Sequence, residues 1–145
     1  MPTPQSDIEN LTILGSATQS AKQLEAFPNH TKDRYYLVTL ETDEFTCLCP
    51  KTGQPDFATI RIQYVPDTSI VESKSFKLYL WSFRDEGVFH EHVVNQILDD
   101  LLQTLHPHYC KVTGIFNIRG GVGITVDAED VRTPEAKTAV LNSIL

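Results

Sequence analysis

Two consecutive helical patterns occupy the middle of this chain, and segments with strand patterns flank them on both sides. The first helical pattern, over 72–83, places apolar side chains at the i, i+3, i+4 and i+7 spacing of one helix face: Phe76, Tyr79, Leu80 and Phe83. The second, over 88–105, carries a wider apolar stripe, and Pro107 ends it. We therefore expect two adjacent amphipathic helices that each bury one face.

Strand patterns come in pairs before and after these helices. Segments 35–41 and 58–65 are rich in β-branched and aromatic residues, and so are segments 109–118 and 122–126. The glycine pair in 119–121 predicts a tight turn between the last two strands. The element order is therefore strand, strand, helix, helix, strand, strand.

The segment between the first two strands predicts a loop. It covers 45–57 and contains two prolines and a glycine, which disfavour a regular helix or strand. We expect a long loop there that carries the thiols of Cys47 and Cys49.

This order predicts an α+β fold with a four-stranded antiparallel sheet and two helices on one face. Such a sheet has two edge strands, and subunits that pair edge to edge would cover them, which favours an oligomer. Residues 1–30 are polar and predict an N-terminal arm that packs late or wraps a neighbour. Residues 31–145 predict a single domain with a weakly helical tail over 133–145.

Composition narrows the function classes. The chain has 145 residues and a formal net charge of −7, from 12 basic and 19 acidic side chains, so a direct nucleic-acid partner is not expected. No secretory signal or long apolar run is present, so no membrane association is expected. Three cysteines are an odd number, which indicates reduced thiols and a cytoplasmic location.

Cys49 and Asp56 form the first candidate catalytic pair. A thiolate with a carboxylic acid nearby can attack and protonate a polar electrophile. The alternative is that Cys49 is a small buried hydrophobe and Asp56 a turn residue. Cys47 would point to the opposite face of an extended segment, so we assign it a structural role.

Further polar clusters open the two helices and the last turn. Glu72 and Glu91 lie at the predicted N-termini of the two helices. Acidic side chains are common there because they interact favourably with the helix dipole, so neither residue needs a further function. Lys74 and Lys77 share a helix face that could hold a phosphate, and Arg119 could reach an anion. No C-x-x-C, H-E-x-x-H or other familiar ligand spacing occurs, so no metal is expected.

Three segments carry a specific resemblance. FTCLCPKTGQPDFATI, VESKSFKLYLWSFRDEGVFHEHVVNQILDDL and RGGVGI together resemble the QueF family of NADPH-dependent 7-cyano-7-deazaguanine reductases of queuosine biosynthesis. The resemblance covers 35–126. It implies the tunnelling fold, shared with GTP cyclohydrolase I, in which ββααββ subunits join their sheets into an oligomeric barrel. The short chain is similar to the branch that forms a decamer of two stacked pentamers.

The resemblance also implies roles for individual residues. Cys49 matches the family's nucleophile, and Asp56 matches its acid. The family reduces a nitrile to an aminomethyl group with two NADPH, through a covalent thioimide on the cysteine. The remaining matches, by their implied roles, are base-contacting Val71, Glu72, Ser73, His90 and Glu91, and cofactor-binding Lys74, Lys77 and Arg119.

Glu91, helped by Glu72, is the expected specificity residue, because a carboxylate can accept both donors of the deazaguanine edge. Two other functions stay open. One is a zinc-dependent hydrolase of the GTP cyclohydrolase type, and the other is a non-catalytic ring that binds a purine or pterin.

Overall fold

Four long strands form an antiparallel sheet in the computed structural model, which describes residues 2–13, 15 and 19–144. In spatial order its strands are β2 (Val38–Leu48), β3 (Pro55–Val65), β5 (Tyr109–Arg119) and β6 (Val122–Val131). Two helices, α1 (Ser73–Trp81) and α2 (His90–Leu105), lie between β3 and β5 in the chain. The predicted ββααββ order and the α+β class are confirmed.

Smaller elements complete the subunit. Strand β1 (Ala26–Pro28) pairs antiparallel with β4 (Ser69–Val71), and α3 (Pro134–Ile144) confirms the predicted helical tail. None of the helices in the described part of the chain combines the length and apolar character needed to cross a membrane.

The core lies between the sheet and the two helices. Side chains of β3 alternate between buried and partly exposed positions, as a strand with one covered face requires. The predicted stripe of α2 is only partly buried at Leu102, and its buried members are Val93, Val94, Ile97, Leu98, Leu101 and Leu105. Each large apolar side chain in such a position contributes about 1.5–3 kcal/mol to folding.

The helix ends follow from local chemistry. The carboxylate of Glu72 caps α1 by accepting hydrogen bonds from the Lys74 and Ser75 N–H groups. Helix α2 ends at Leu105, and His106 has φ 46°, a left-handed conformation directly before Pro107.

The prediction of a long loop over 45–57 is wrong. The β2–β3 ladder continues to the pair Leu48 and Pro55, with an irregularity between Thr42 and Phe45. Pro55 is compatible with this because it is the first residue of its strand, where a missing N–H costs little. The connection is therefore the short segment 49–54.

Candidate active site

A tight turn holds Cys49 between β2 and β3. The Cys49 N–H donates to the Gln54 carbonyl at 2.8 Å, and the Gly53 N–H donates to the Cys49 carbonyl at 2.9 Å. Gly53 has φ +74°, a conformation that L side chains rarely adopt. The turn thus fixes the backbone on both sides of the thiol.

The Cys49 thiol is half-buried and activated by hydrogen bonds. The Thr52 hydroxyl, followed by the Thr52 and Lys51 N–H groups, lowers its pKa below the ordinary value, although burial and the Asp56 charge oppose the shift. A lower pKa increases the thiolate fraction near neutral pH.

The other two thiols have the opposite property. Cys47 and Cys110 are fully buried, and burial raises their pKa to about 11 and about 12. The burial of Cys47 agrees with the structural role predicted for it, and Cys49 is the one cysteine whose surroundings favour the thiolate.

Asp56 is a buried carboxylate contacted by the guanidinium of Arg119 and the imidazole of His90. It is 6% exposed. Its Oδ1 lies 2.7 Å from Nη1 of Arg119, and its Oδ2 lies 3.2 Å from Nε2 of His90. Arg119 also donates to the Gln54 side-chain oxygen at 3.2 Å. The carboxylate therefore occupies a defined position at the start of β3, beside the Cys49 turn.

His90 is oriented by stacking. It is the first residue of α2, and its ring is parallel to that of Phe116 on β5, with centroids 3.8 Å apart and an interplanar angle of 8°. A cavity of about 260 Å³ opens at this point. Its lining residues are Pro55, Asp56, Phe57, His90, Phe116, Asn117, Ile118 and Arg119.

Sequence reasoning missed Phe116. An aromatic residue at an inward strand position is typical of a core, and no sequence signal marked its stacking on His90. The start of α2 and the end of β5 are far apart in the chain, so the sequence does not predict the contact between His90 and Phe116.

The Val71-Glu72-Ser73 segment lies at the other end of the subunit. The Val71 N–H donates to the Tyr64 hydroxyl at 3.1 Å. Tyr64 and Asp56 are near opposite ends of β3, roughly 26 Å apart at about 3.3 Å per residue. One subunit thus does not bring this segment and the Asp56 cavity together.

Glu72 is already engaged within its own helix. Its carboxylate oxygens accept from the Lys74 and Ser75 N–H groups at 2.9 and 2.6 Å, and these bonds lower its pKa. Glu91 differs, because it is exposed on the first turn of α2 next to His90. Of these two acidic residues, Glu91 is the one whose carboxylate does not cap a helix.

The three predicted cofactor-binding residues do not lie together in one subunit. Lys77 lines a groove of about 630 Å³ between α1 and the edge strand β2, whereas Arg119 lines the Asp56 cavity. Lys74 and Lys77 are exposed, and within the described residues neither forms an ion pair. Two such ammonium groups on one helix face fit the phosphates of a dinucleotide.

No group of three or more His, Cys, Asp or Glu side chains that could hold a metal ion occurs in the described part of the chain. The polar groups that do converge are Asp56, His90 and Arg119, an acid contacted by an imidazole and a guanidinium.

Comparison with known proteins gives a consistent picture. A family model described as QueF-like protein matches residues 55–135. The chain is 59% identical over 127 residues to the NADPH-dependent 7-cyano-7-deazaguanine reductase of Syntrophus aciditrophicus, covering 88% of this chain and 91% of that protein. It is 58% identical over 113 residues to the protein of the same name from Alkalilimnicola ehrlichii, covering 78% and 88%.

A solved structure is also similar. The crystal structure of the archaeosine synthase QueF-Like in the apo form matches with a TM-score of 0.61 and 28% identity, covering 65% of this chain and 92% of that chain. On the family model and these relatives together, the chain belongs to the QueF family.

Proposed function

We propose that this chain is an NADPH-dependent 7-cyano-7-deazaguanine reductase, which converts the nitrile of its substrate to an aminomethyl group in queuosine biosynthesis. Two proteins named for this activity are 59% and 58% identical to it. The observation that carries the mechanism is the activated thiol of Cys49 on the turn that leads directly to the buried Asp56.

The chemistry begins at the nitrile carbon. The Cys49 thiolate forms a C–S bond to that carbon while one C–N π bond breaks, and the nitrile nitrogen takes a proton from the acid form of Asp56. The product is a covalent thioimide. The carboxylate left on Asp56 is then stabilised by Arg119 and His90, which lie 2.7 and 3.2 Å away.

Reduction of a nitrile to an amine takes four electrons, so two NADPH, when bound, supply two hydrides. Lys74 and Lys77 are the groups best suited to hold the cofactor phosphates. Arg119 would join them only from another subunit, since it lines a different cavity of its own chain.

The site must also retain an imine. Once the thiolate leaves the reduced adduct, an imine remains that water would hydrolyse. Phe57, Phe116 and Ile118 line the Asp56 cavity, and since Phe57 and Ile118 are exposed in one subunit, they would exclude water there once a neighbouring subunit covers them.

We assign base recognition chiefly to Glu91. Its free carboxylate can accept the N1–H and the exocyclic amine of a deazaguanine, and His90 lies beside it. Because the Glu72 carboxylate caps α1, we assign the contacts of Val71, Glu72 and Ser73 to backbone groups and to the Ser73 hydroxyl.

The complete site requires more than one subunit in this proposal. Strands β2 and β6 are the two edges of the sheet, and the Val71-Glu72-Ser73 segment lies far from Asp56 within one chain. A homo-oligomeric barrel, as a decamer of two stacked pentamers, would pair the edges and bring the two parts together. The three free thiols support a cytoplasmic location.

The direct test is NADPH consumption with 7-cyano-7-deazaguanine, with the product quantified by mass spectrometry. We expect two NADPH oxidised per aminomethyl product and no oxidation with Cys49→Ala. Zinc in near-stoichiometric amount, lost together with activity, would support a hydrolase instead. Ligand binding that persists in Cys49→Ala, without NADPH oxidation by the wild type, would support a non-catalytic ring.

A further inference from the structure

The segment that precedes the sheet runs along α1 and contacts both of its ends. We propose that residues 21–28, here called the strap, position Cys49 through the side chain of Lys22, which is thereby a positioning residue. The effect of Lys22 on the reactivity of Cys49 rests on the function proposed above, whereas its effect on the backbone beside Cys49 does not.

Backbone groups of the strap form hydrogen bonds with the beginning of α1. The Glu25 carbonyl accepts the Glu72 N–H at 2.8 Å, and the Glu25 N–H donates to the Ser75 hydroxyl oxygen at 3.0 Å. The next residue, Ala26, pairs with Val71 in the β1–β4 ladder. Further along the helix, the Ala21 N–H approaches the Leu78 carbonyl at 3.4 Å. The strap therefore runs antiparallel to α1.

Lys22 contacts the segment that follows α1. Its ammonium nitrogen lies 2.8 Å from a carboxylate oxygen of Glu86 and 3.3 Å from the centroid of the Phe83 ring. Phe83 is fully buried and packs edge-on against Tyr79. A lysine that forms an ion pair and a cation–π contact together restrains this segment more than either contact alone.

The segment after α1 that Lys22 contacts holds Leu48, the residue that precedes Cys49. The Glu86 carbonyl accepts the Leu48 N–H at 2.8 Å, and the Val88 N–H donates to the Leu48 carbonyl at 3.0 Å. Both backbone groups of Leu48 are thus fixed by the segment that Lys22 contacts. Gly87 also lies close to Pro50, where an added Cβ would approach the Pro50 Cα to 3.0 Å. Cys49 is between these two contacts.

Loss of the Lys22 head group should therefore loosen the backbone beside the thiol. We expect amide hydrogen exchange at Leu48 and Val88 to become about tenfold faster in Lys22→Met, because both amides donate the bonds described above. Addition of the Cys49 thiolate to the nitrile should slow by about the same factor, while the KM for NADPH stays unchanged.

The chain offers a matched control in Lys137. This lysine also pairs with a glutamate, Glu129, at 2.7 Å and lies 5.6 Å from the Tyr109 ring centroid, but it belongs to α3 and contacts the other end of the sheet. Lys137→Met should leave exchange at Leu48 and Val88 and the rate of adduct formation unchanged. Lys22→Arg, which keeps the charge, should restore wild-type behaviour.

The measurements are amide exchange and the rate of adduct formation followed by intact mass, made on the wild type and these three variants. Unchanged exchange at Leu48 and Val88 in Lys22→Met, or equal acceleration in Lys137→Met, would overturn the strap proposal. A wild type that forms no adduct would instead contradict the proposed function, and exchange would still decide the role of Lys22.

Discussion

At Cys49, hydrogen bonds lower the pKa of the thiol, and the charge of Asp56 opposes them. The Thr52 hydroxyl has the largest effect, while the charge of Asp56 raises the pKa. A nucleophile and an acid in one site are expected to conflict in this way, because a carboxylate disfavours a nearby thiolate. Protonated Asp56 would remove the conflict at the moment of attack.

Replacing Thr52 tests the first of these effects. In Thr52→Val the hydroxyl is lost, so the pKa of Cys49 should rise toward its ordinary value. Alkylation of Cys49 by iodoacetamide, measured against pH, should then have its midpoint at higher pH than in the wild type. Thr52→Ser retains the hydroxyl and should keep the wild-type midpoint. Identical midpoints in Thr52→Val and wild type would contradict this explanation.

Replacing Asp56 separates its two roles. In Asp56→Asn the charge that raises the Cys49 pKa is absent, so the alkylation midpoint should move to lower pH. Turnover should nonetheless fall about 10²–10⁴-fold, because the proton donor is lost. Steady-state NADPH oxidation measures this second effect. A variant that loses thiol reactivity and turnover together would show that Asp56 only maintains the fold of the turn.

Much of the residue-level chemistry could be predicted from motifs, but the contacts between motifs could not. Cys49 and Asp56 are close in sequence, so the motif by itself predicts them as a pair. Arg119 meets Asp56 across 63 positions of chain, and only the β3–β5–β6 arrangement brings them together. The position of Glu72 predicts a favourable interaction with the helix dipole. It does not predict that both carboxylate oxygens accept backbone N–H groups, which only the structure shows.

At the scale of elements, the close approach of α2 to β5 positions His90. Gly114 on β5 faces this helix, and a Cβ there would lie 2.6 Å from Val94 Cγ2 and 2.9 Å from Phe116 Cε2. Phe116 is the ring on which His90 stacks. Absence of a side chain at Gly114 thus sets the distance between the helix and the sheet beside the site.

Gly114→Ala should therefore destabilise the protein and disturb the site. We expect a loss of about 1–3 kcal/mol in the free energy of unfolding, from overpacking against a stiff valine. Gly123→Ala on the neighbouring strand is the control, because its Cβ would meet Ile118 at an ordinary 3.4 Å. Chemical denaturation compares the two. Equal stability of both variants would contradict a packing role for Gly114.

Periodicity predicted most elements because the helices and inner strands bury one face each. The segment 45–57 was the exception. Its prolines suggested irregular structure, but Pro55 begins a strand and Pro50 lies in the turn, where neither breaks the ladder. The position of a proline within an element decides its effect, and composition alone does not contain that position.

At the scale of the whole molecule, the proposed function requires subunits to assemble, because it draws site residues from both ends of β3. Sedimentation velocity should show a particle several times heavier than the 16.3 kDa subunit. Specific activity should fall on dilution in parallel with dissociation, because each separated subunit holds its Val71-Glu72-Ser73 segment far from its Asp56. A fully active species of 16.3 kDa would contradict a site shared between subunits.

The covalent intermediate is the central claim, and intact-mass spectrometry tests it most directly. Protein incubated with 7-cyano-7-deazaguanine without NADPH should gain the whole mass of the nitrile, since addition of a thiol releases no group. The gain should map to the peptide containing Cys49 and be absent in Cys49→Ala. An unmodified wild-type mass in a preparation that turns over once NADPH is added, or a gain that persists in Cys49→Ala, would contradict the account.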